Sequence, residues 1–408
     1  MTAPSAAHPG ATPFDDAYRD DPHGVLGRLR ESGPVHRVAL PDGTLAWLVT
    51  READVRAGLA DPRLSVDKKH AGSGYRGFSL PPALDANLLN LDGADHLRLR
   101  RLVSKAFTPR HTAALRPRVT AAAEGLASEL AGRIAAEGRA DLVAGFAAPL
   151  PLRVIGDLFG APEADREQFA AWGGAMVAPA GPQDVATAVK GIYGLLLRWV
   201  AERRARPGDD LLSALIVARD DEDRLTEDEL VSLAFLILLA GTENTQHLIS
   251  GGTLTLLRHP DRLDALRRDP SLLDATVEEL LRYAHPNQSA IRRFPTEPVE
   301  IGGTAVPAGD TVLLCLASAH RDPERYPEAD RFDPGRTDLA HLALGHGVHY
   351  CLGAPLARLE VSTALTTLLA RFPALAVAEP AALHWNTSFR SRALRELHVT
   401  DESLRAGG

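Results

Sequence analysis

The stretch Leu344-Gly345-His346-Gly347-Val348-His349-Tyr350-Cys351-Leu352-Gly353 decides how the rest of the chain reads. It places one cysteine in a glycine-punctuated turn, directly before a helix expected from about Ala354 to Phe372. A helix N-terminus offers free backbone N–H groups and the positive end of a dipole, and both favour a thiolate over a thiol. Such a sulfur suits a metal. Two other readings stand beside this one. Cys351 can be a small buried hydrophobe, as most cysteines outside disulfides are. It can also join His346 and His349 at zinc, although that supplies three protein ligands where a structural site has four. Cys315, within TVLLCLASAH, has apolar surroundings and reads as core.

The turn resembles the haem-binding signature of the cytochrome P450 family, Phe-Gly-x-Gly-x-His/Arg-x-Cys-x-Gly, with Leu344 standing where Phe is usual. Distant segments extend the resemblance. Glu279-Leu280-Leu281-Arg282 is similar to the family's ExxR element, and Arg321-Asp322-Pro323 with Arg331-Phe332-Asp333-Pro334 is similar to the meander that follows it. His96-Leu97-Arg98-Leu99-Arg100 resembles the helix whose histidine and arginine bind a haem propionate. Arg293 stands where the family has a propionate arginine, with Arg292 as its neighbouring rival, and His349 is the basic residue of the cysteine turn. The resemblance implies a mainly α fold with a smaller β region (α+β), a long central helix over the haem and the cysteine turn beneath it. It also implies haem b (iron protoporphyrin IX) bound by His96, Arg100, Arg293, His349 and Cys351, with Cys351 as the iron ligand. A thiolate ligand donates electron density to the iron and favours O–O cleavage. Glu279 and Arg282 are implied to be structural.

Upstream, Thr226-Glu227-Asp228-Glu229 reads as a capping box before an apolar run. If that helix continues to Arg258 it is roughly 50 Å long and must be largely buried. Within it, Ala240-Gly241-Thr242-Glu243-Asn244-Thr245 resembles the family's oxygen-activating Ala-Gly-x-Asp/Glu-Thr-Thr element, which implies catalytic roles for Glu243, Asn244 and Thr245. A glycine inside a buried helix costs roughly 1 kcal/mol relative to alanine, so Gly241 suggests close approach of a ligand. Asn244 is the departure. The family's threonine hydroxyl holds a proton-delivering water there, and an amide holds water without relaying a proton through a hydroxyl. Thr245 is turned by about 100° around the helix and does not simply replace it.

Composition agrees with one large globular protein. Hydrophobic residues make up 45% and charged residues 24%, and the net charge of −8 lacks the basic balance of a nucleic-acid binder. Residues 1–15 read as a flexible tail and residues 16–408 as a single domain. Neither a basic leader nor an apolar span is evident, so the expected setting is cytoplasmic, with no membrane and no nucleic-acid partner. Val35 to Val49 reads as a β-hairpin around Pro41-Asp42-Gly43, and Ser65 to Asn90 as a long loop. From Ala94 to Arg206 the pattern is helical, punctuated at Pro109, Pro149, Pro162 and Pro179 to Pro182.

By resemblance the reaction is hydroxylation or epoxidation of a small organic molecule of secondary metabolism by O2. The chain carries no flavin or nicotinamide fingerprint, so electrons come from outside, from ferredoxin and its reductase. Arg98, Arg101, Lys105 and Arg358 offer a basic patch for such a partner, against the plainer reading of a solvated helix face. The polypeptide is expected to act as a monomer. By position in the family fold, the substrate pocket draws on Ser65 to Asn90, Met176 to Ile192, Leu239 to Thr245, Asn287 to Ile291 and Thr387 to Phe389. Oxidative coupling or desaturation by the same centre is the rival reaction. A non-catalytic haem protein is the rival class, weakened because the methionines are only Met1 and Met176 and an electron carrier does not need Glu243.

Overall fold

Pro41-Asp42-Gly43 turns the chain as expected: Gly43 takes φ +78° and donates its N–H to the Leu40 carbonyl, while Leu40 N–H bonds Thr44 O at 2.8 Å. The turn joins strands Val35–Ala39 and Leu45–Val49 in antiparallel register, Val35 opposite Val49. Strand Thr311–Leu314 then pairs with Leu45–Val49 in parallel, from Ala46↔Thr311 to Val49↔Leu314. Side chains alternate across such a sheet. Ala46, Leu48 and Leu313 pack on one face with Tyr18, Leu26 and Cys315, while Val49, Val312 and Leu314 pack on the other with Val55, Leu59 and Leu64. With both faces covered, all four residues of Thr311–Leu314 are buried, as parallel pairing favours. Cys315 is therefore core, as its sequence suggests, and burial pushes its thiol up to about 11.

This computed structural model describes residues 12–72, 74–75, 80–85, 87–104, 107–177, 182–220, 225–380, 383–386 and 388–404. The chain divides into two compact units. The sheet above belongs to the first, residues 1–78, 278–351 and 385–393, and the second holds residues 79–277, 352–384 and 394–408. Of the expected tail, residues 1–11 lie outside the described residues, and Phe14 is buried against Tyr18 and Phe389. Asp15 and Asp21 cap the helices Asp16–Asp20 and Pro22–Ser32 by accepting N–H bonds from Tyr18 and Gly24.

Helices fill the second unit. They begin where the prolines predict, at Pro109–Glu137, Pro149–Leu158, Glu163–Val177 and Pro182–Ala205. Helix Ala354–Arg371 packs against Pro109–Glu137, and a small sheet joins Ala140–Asp141, His398–Asp401 and Leu375–Val377. The Ser65 to Asn90 segment is not structureless: it contains the short turn Lys68–His70 and helix Pro82–Asp85. Among the described residues no helix is long and apolar enough to cross a membrane.

The expected continuous helix from Thr226 to Arg258 is two helices, Glu227–Ala240 and Glu243–Leu257. The capping box forms at its start, with Glu229 N–H bonded to Thr226 Oγ1 and Thr226 N–H to Glu229 Oε2. The break lies at Gly241-Thr242. Thr242 N–H bonds Leu239 O, three residues back, and the Thr242 hydroxyl donates to the carbonyls of Leu238 and Leu239. A threonine bonding back onto the preceding turn, next to a glycine, is enough to bend a helix.

Candidate active site

In the first unit, the cysteine turn is shaped by backbone. Gly345 and Gly347 take φ of +78° and +70°, where other residues are strained. A Cβ on Gly347 would also lie 3.2 Å from the Leu59 carbonyl oxygen. Cys351 N–H closes the turn on Leu344 O at 2.7 Å, so residue 344 contributes through its carbonyl and the turn tolerates leucine there. Two histidines hold the approach: Leu342 N–H donates to His320 Nε2 at 3.0 Å, and Ala343 N–H to His341 Nδ1 at 3.2 Å. Burial above all, with nearby cationic groups, holds the His320 imidazole well below its usual range and keeps it a neutral acceptor. Cys351 is half-buried, and helix Ala354–Arg371 begins shortly after it.

Behind the turn, Glu279 and Arg282 form a closed network. Arg282 Nε and Nη2 meet the two Glu279 oxygens at 2.8 and 2.7 Å. Its other donors reach the carbonyls of His320, Ala329 and Arg331, while Glu279 also accepts from Asp333 N–H and Arg336 Nε. The meander segments are thus tied to the helix through one buried ion pair. Arg292 is committed to Asp42, 2.5 Å away, whereas Arg293 is buried with Nη1 3.3 Å from Leu64 O. Burial would push the Asp42 carboxyl up, but the bonds from Arg292 and Thr44 outweigh it and hold it at about 2. Gln288 is buried, facing a cavity of about 10 Å³ that it shares with Tyr18, Ser388 and Ser391. That space admits about one water molecule. Thr387 and the Met176 side chain lie outside the described residues.

In the second unit, helix Gly93–Ser104 buries His96, Leu99 and Val103 along one face, with half-buried Arg100 one turn beyond His96. Arg98 is ion-paired with Glu229 and Asp95, which removes it from the expected basic patch; Lys105 lies outside the described residues. The broken helix has a revealing exposure pattern. Leu230 to Leu238 and His247 to Ser250 are almost wholly buried, yet Ala240 is exposed and Gly241 to Asn244 are half-buried. An accessible strip therefore sits at the break. Thr245 is only 6% exposed, while Glu243 and Asn244 are half-buried and lie on that strip. A Cβ on Gly241 would lie 2.4 Å from Ile155 Cδ1 on helix Pro149–Leu158 and 2.9 Å from the Ile237 carbonyl oxygen, so a side chain there would crowd the neighbouring helix.

A sequence model of the family described as Cytochrome P450 matches residues 183–381. The chain is 46% identical to Cytochrome P450 monooxygenase PikC from Streptomyces venezuelae over 94% of its own length and 91% of the relative's. The chain belongs to the cytochrome P450 family. It is also 41% identical to Mycinamicin IV hydroxylase/epoxidase from Micromonospora griseorubida, covering 97% of this chain and 99% of the relative. The tirandamycin C-bound P450 monooxygenase TamI superposes with a TM-score of 0.86 at 43% identity, covering 95% and 98% of the two chains. The mainly α P450 fold read from the sequence is borne out, with the helix break as its correction. This P450 is accordingly a monooxygenase, an oxidoreductase that uses haem, electrons from a redox partner and a small organic substrate.

The donor set fits haem. Among the described residues no three His, Cys, Asp or Glu side chains gather to hold a metal, so His346 and His349 do not complete a zinc site with Cys351. A metal at Cys351 has to bring its remaining ligands with it, as a porphyrin does. Sequence reading missed two ionisable groups of this P450. His247 is one. The other is Glu360, 1% exposed on helix Ala354–Arg371, with neither carboxylate oxygen hydrogen-bonded among the described residues. An acid inside the apolar repeat of that helix was the available signal. Burial pushes the Glu360 carboxyl well above its usual value of 4.5, so the folded chain keeps a proton that the unfolded chain releases. Stability then falls as pH rises past the unfolded value. Glu360→Gln, which cannot ionise, is expected to melt higher than wild type at pH 8, with the gap closing toward pH 4. Equal pH dependence of the two melting temperatures would refute this.

Proposed function

We propose that this P450 inserts one oxygen atom from O2 into a mid-polarity secondary metabolite such as a polyketide, by hydroxylation or epoxidation. The observation that carries the reading is the half-buried Cys351 thiol on a glycine-shaped turn, where no three His, Cys, Asp or Glu side chains among the described residues gather to hold a metal. Haem b supplies oxygen activation once bound. By the family resemblance Cys351 would give its thiolate to the iron, and His349, Arg293, His96 and Arg100 would offer donors to the propionates, charge-assisted bonds of the stronger kind. The engagement of Arg292 by Asp42 favours Arg293 over its neighbour in this role. The relative named for mycinamicin IV and the neighbour bound to tirandamycin C support a secondary-metabolite substrate.

Glu243 and Asn244 hold water on the accessible strip, and Glu243 brings protons to it from solvent. Thr245 supports them from its buried position. Asn244→Thr restores a hydroxyl where the amide cannot relay, and is expected to raise the fraction of reductant recovered as product by about threefold or more. No gain in that ratio would show that position 244 does not limit proton delivery.

The chain passes back and forth between the two compact units, which supports one catalytic domain over residues 16–408. Ferredoxin and ferredoxin reductase supply electrons to a monomer in the cytoplasm. Arg101 and Arg358 remain the basic residues proposed to face ferredoxin. Two measurements test the function: the absorption of the reduced protein with carbon monoxide, and the product mass. A strongly red-shifted Soret band and a product heavier by one oxygen atom are expected. A histidine-type band would overturn the thiolate, and a product lighter by hydrogen atoms would replace insertion by coupling or desaturation.

A further inference from the structure

His247 lies one turn beyond Glu243 on helix Glu243–Leu257 and is 4% exposed. Neither of its ring nitrogens has a hydrogen-bond partner among the described residues. One nitrogen of an imidazole always carries a proton, and a buried donor left unbonded costs roughly 1–3 kcal/mol. The nearest acidic group is Glu243, whose Oε1 is 3.8 Å from His247 Nε2, about 1 Å beyond hydrogen-bond reach. The Glu243 side chain is 41% exposed and has room to turn. A modest rotation inward satisfies the imidazole and desolvates the carboxylate next to Asn244.

We propose that His247 is a positioning residue for Glu243: its Nε2–H draws the carboxylate inward and holds it at the break in the helix. Glu243 then has two stations. Facing outward it exchanges protons with solvent, and facing inward it is fixed beside the amide of Asn244. The device answers the departure at residue 244, because a fixed carboxylate orders water that an unanchored one does not. The proposal rests on the reading of Glu243 as a proton source, and the test separates the two.

In 15N-histidine-labelled holoenzyme, reduced and bound to carbon monoxide so that it is diamagnetic, the His247 Nε2–H signal is expected to be hydrogen-bonded and protected. It should shift and exchange faster in Glu243→Ala; an unchanged signal overturns the contact. In turnover, His247→Phe is expected to lower the yield of product per reductant by roughly tenfold at unchanged KM, the loss of one charge-assisted bond. His247→Gln, which keeps a donor, should regain most of it. Equal loss in both variants means a packing role and overturns the proposal. If Glu243→Gln leaves the yield intact, the proton-source reading falls, while the nitrogen signal still decides the contact.

Discussion

Cys351→Ala is expected to abolish the red-shifted band of the reduced carbon monoxide complex and to cut turnover below about one-thousandth of wild type, more than roughly 4 kcal/mol of transition-state stabilisation. Among the described residues His346 and His349 do not gather with Cys351 into a three-membered ligand set that could take over the iron. The fold itself should hardly notice. Cys351 N–H bonds the Leu344 carbonyl through backbone alone, and alanine keeps that bond. The change in melting temperature of the haem-free chain is expected to correspond to less than about 1 kcal/mol. Cys315→Ala is the mirror image. It removes a sulfur from the core against the mixed sheet, so it should cost stability by about 1 kcal/mol and leave the spectrum untouched. A Cys351→Ala protein that kept the band would move the iron ligand elsewhere.

Arg282→Leu is expected to destabilise the protein by about 3–5 kcal/mol, the scale for breaking a buried pair from one side. Glu279 is 0% exposed, and without the guanidinium its charge would face only Asp333 N–H and Arg336. The His320 carbonyl would lose its Arg282 donor in the same step, and those of Ala329 and Arg331 would be left to Arg321 and Arg336. Removing both members, in Glu279→Leu with Arg282→Leu, should cost clearly less than the sum of the single changes, because the stranded charge disappears. Urea unfolding of the four proteins measures this. Strict additivity would mean that the pair is not the unit that holds the meander.

How much of this was legible in the sequence follows from what each feature depends on. The cysteine turn, the hairpin and the helix starts are set by glycine, proline and capping residues within a few positions of one another, so Gly345, Gly43, Pro109 and Thr226 announce them directly. The Glu279–Arg282 pair was visible as a spacing, but its three carbonyl partners come from residues far along the chain and were not. The helix break was hidden because Gly241 and Thr242 both tolerate a helix, and only the bonding of the Thr242 hydroxyl to the previous turn decides against one. The crowding at Gly241 was hidden for a related reason: its steric partner, Ile155, lies on another helix. His247 and Glu360 are single polar letters in apolar runs, and nothing local tells a satisfied side chain from an orphaned one.

The parallel strand pair has a bearing on how the protein is made. Strand Leu45–Val49 leaves the ribosome early, but its partner Thr311–Leu314 follows only after most of the chain. At 5–20 residues per second the hairpin waits for roughly tens of seconds with one hydrogen-bonding edge open. Through that interval it offers Ala46, Leu48 and Val49 to any other nascent strand, so the danger of misassembly falls before the C-terminal quarter emerges. Slow synthesis, or scarce chaperones early in translation, should lower the yield of this protein more than a destabilising change in its finished core.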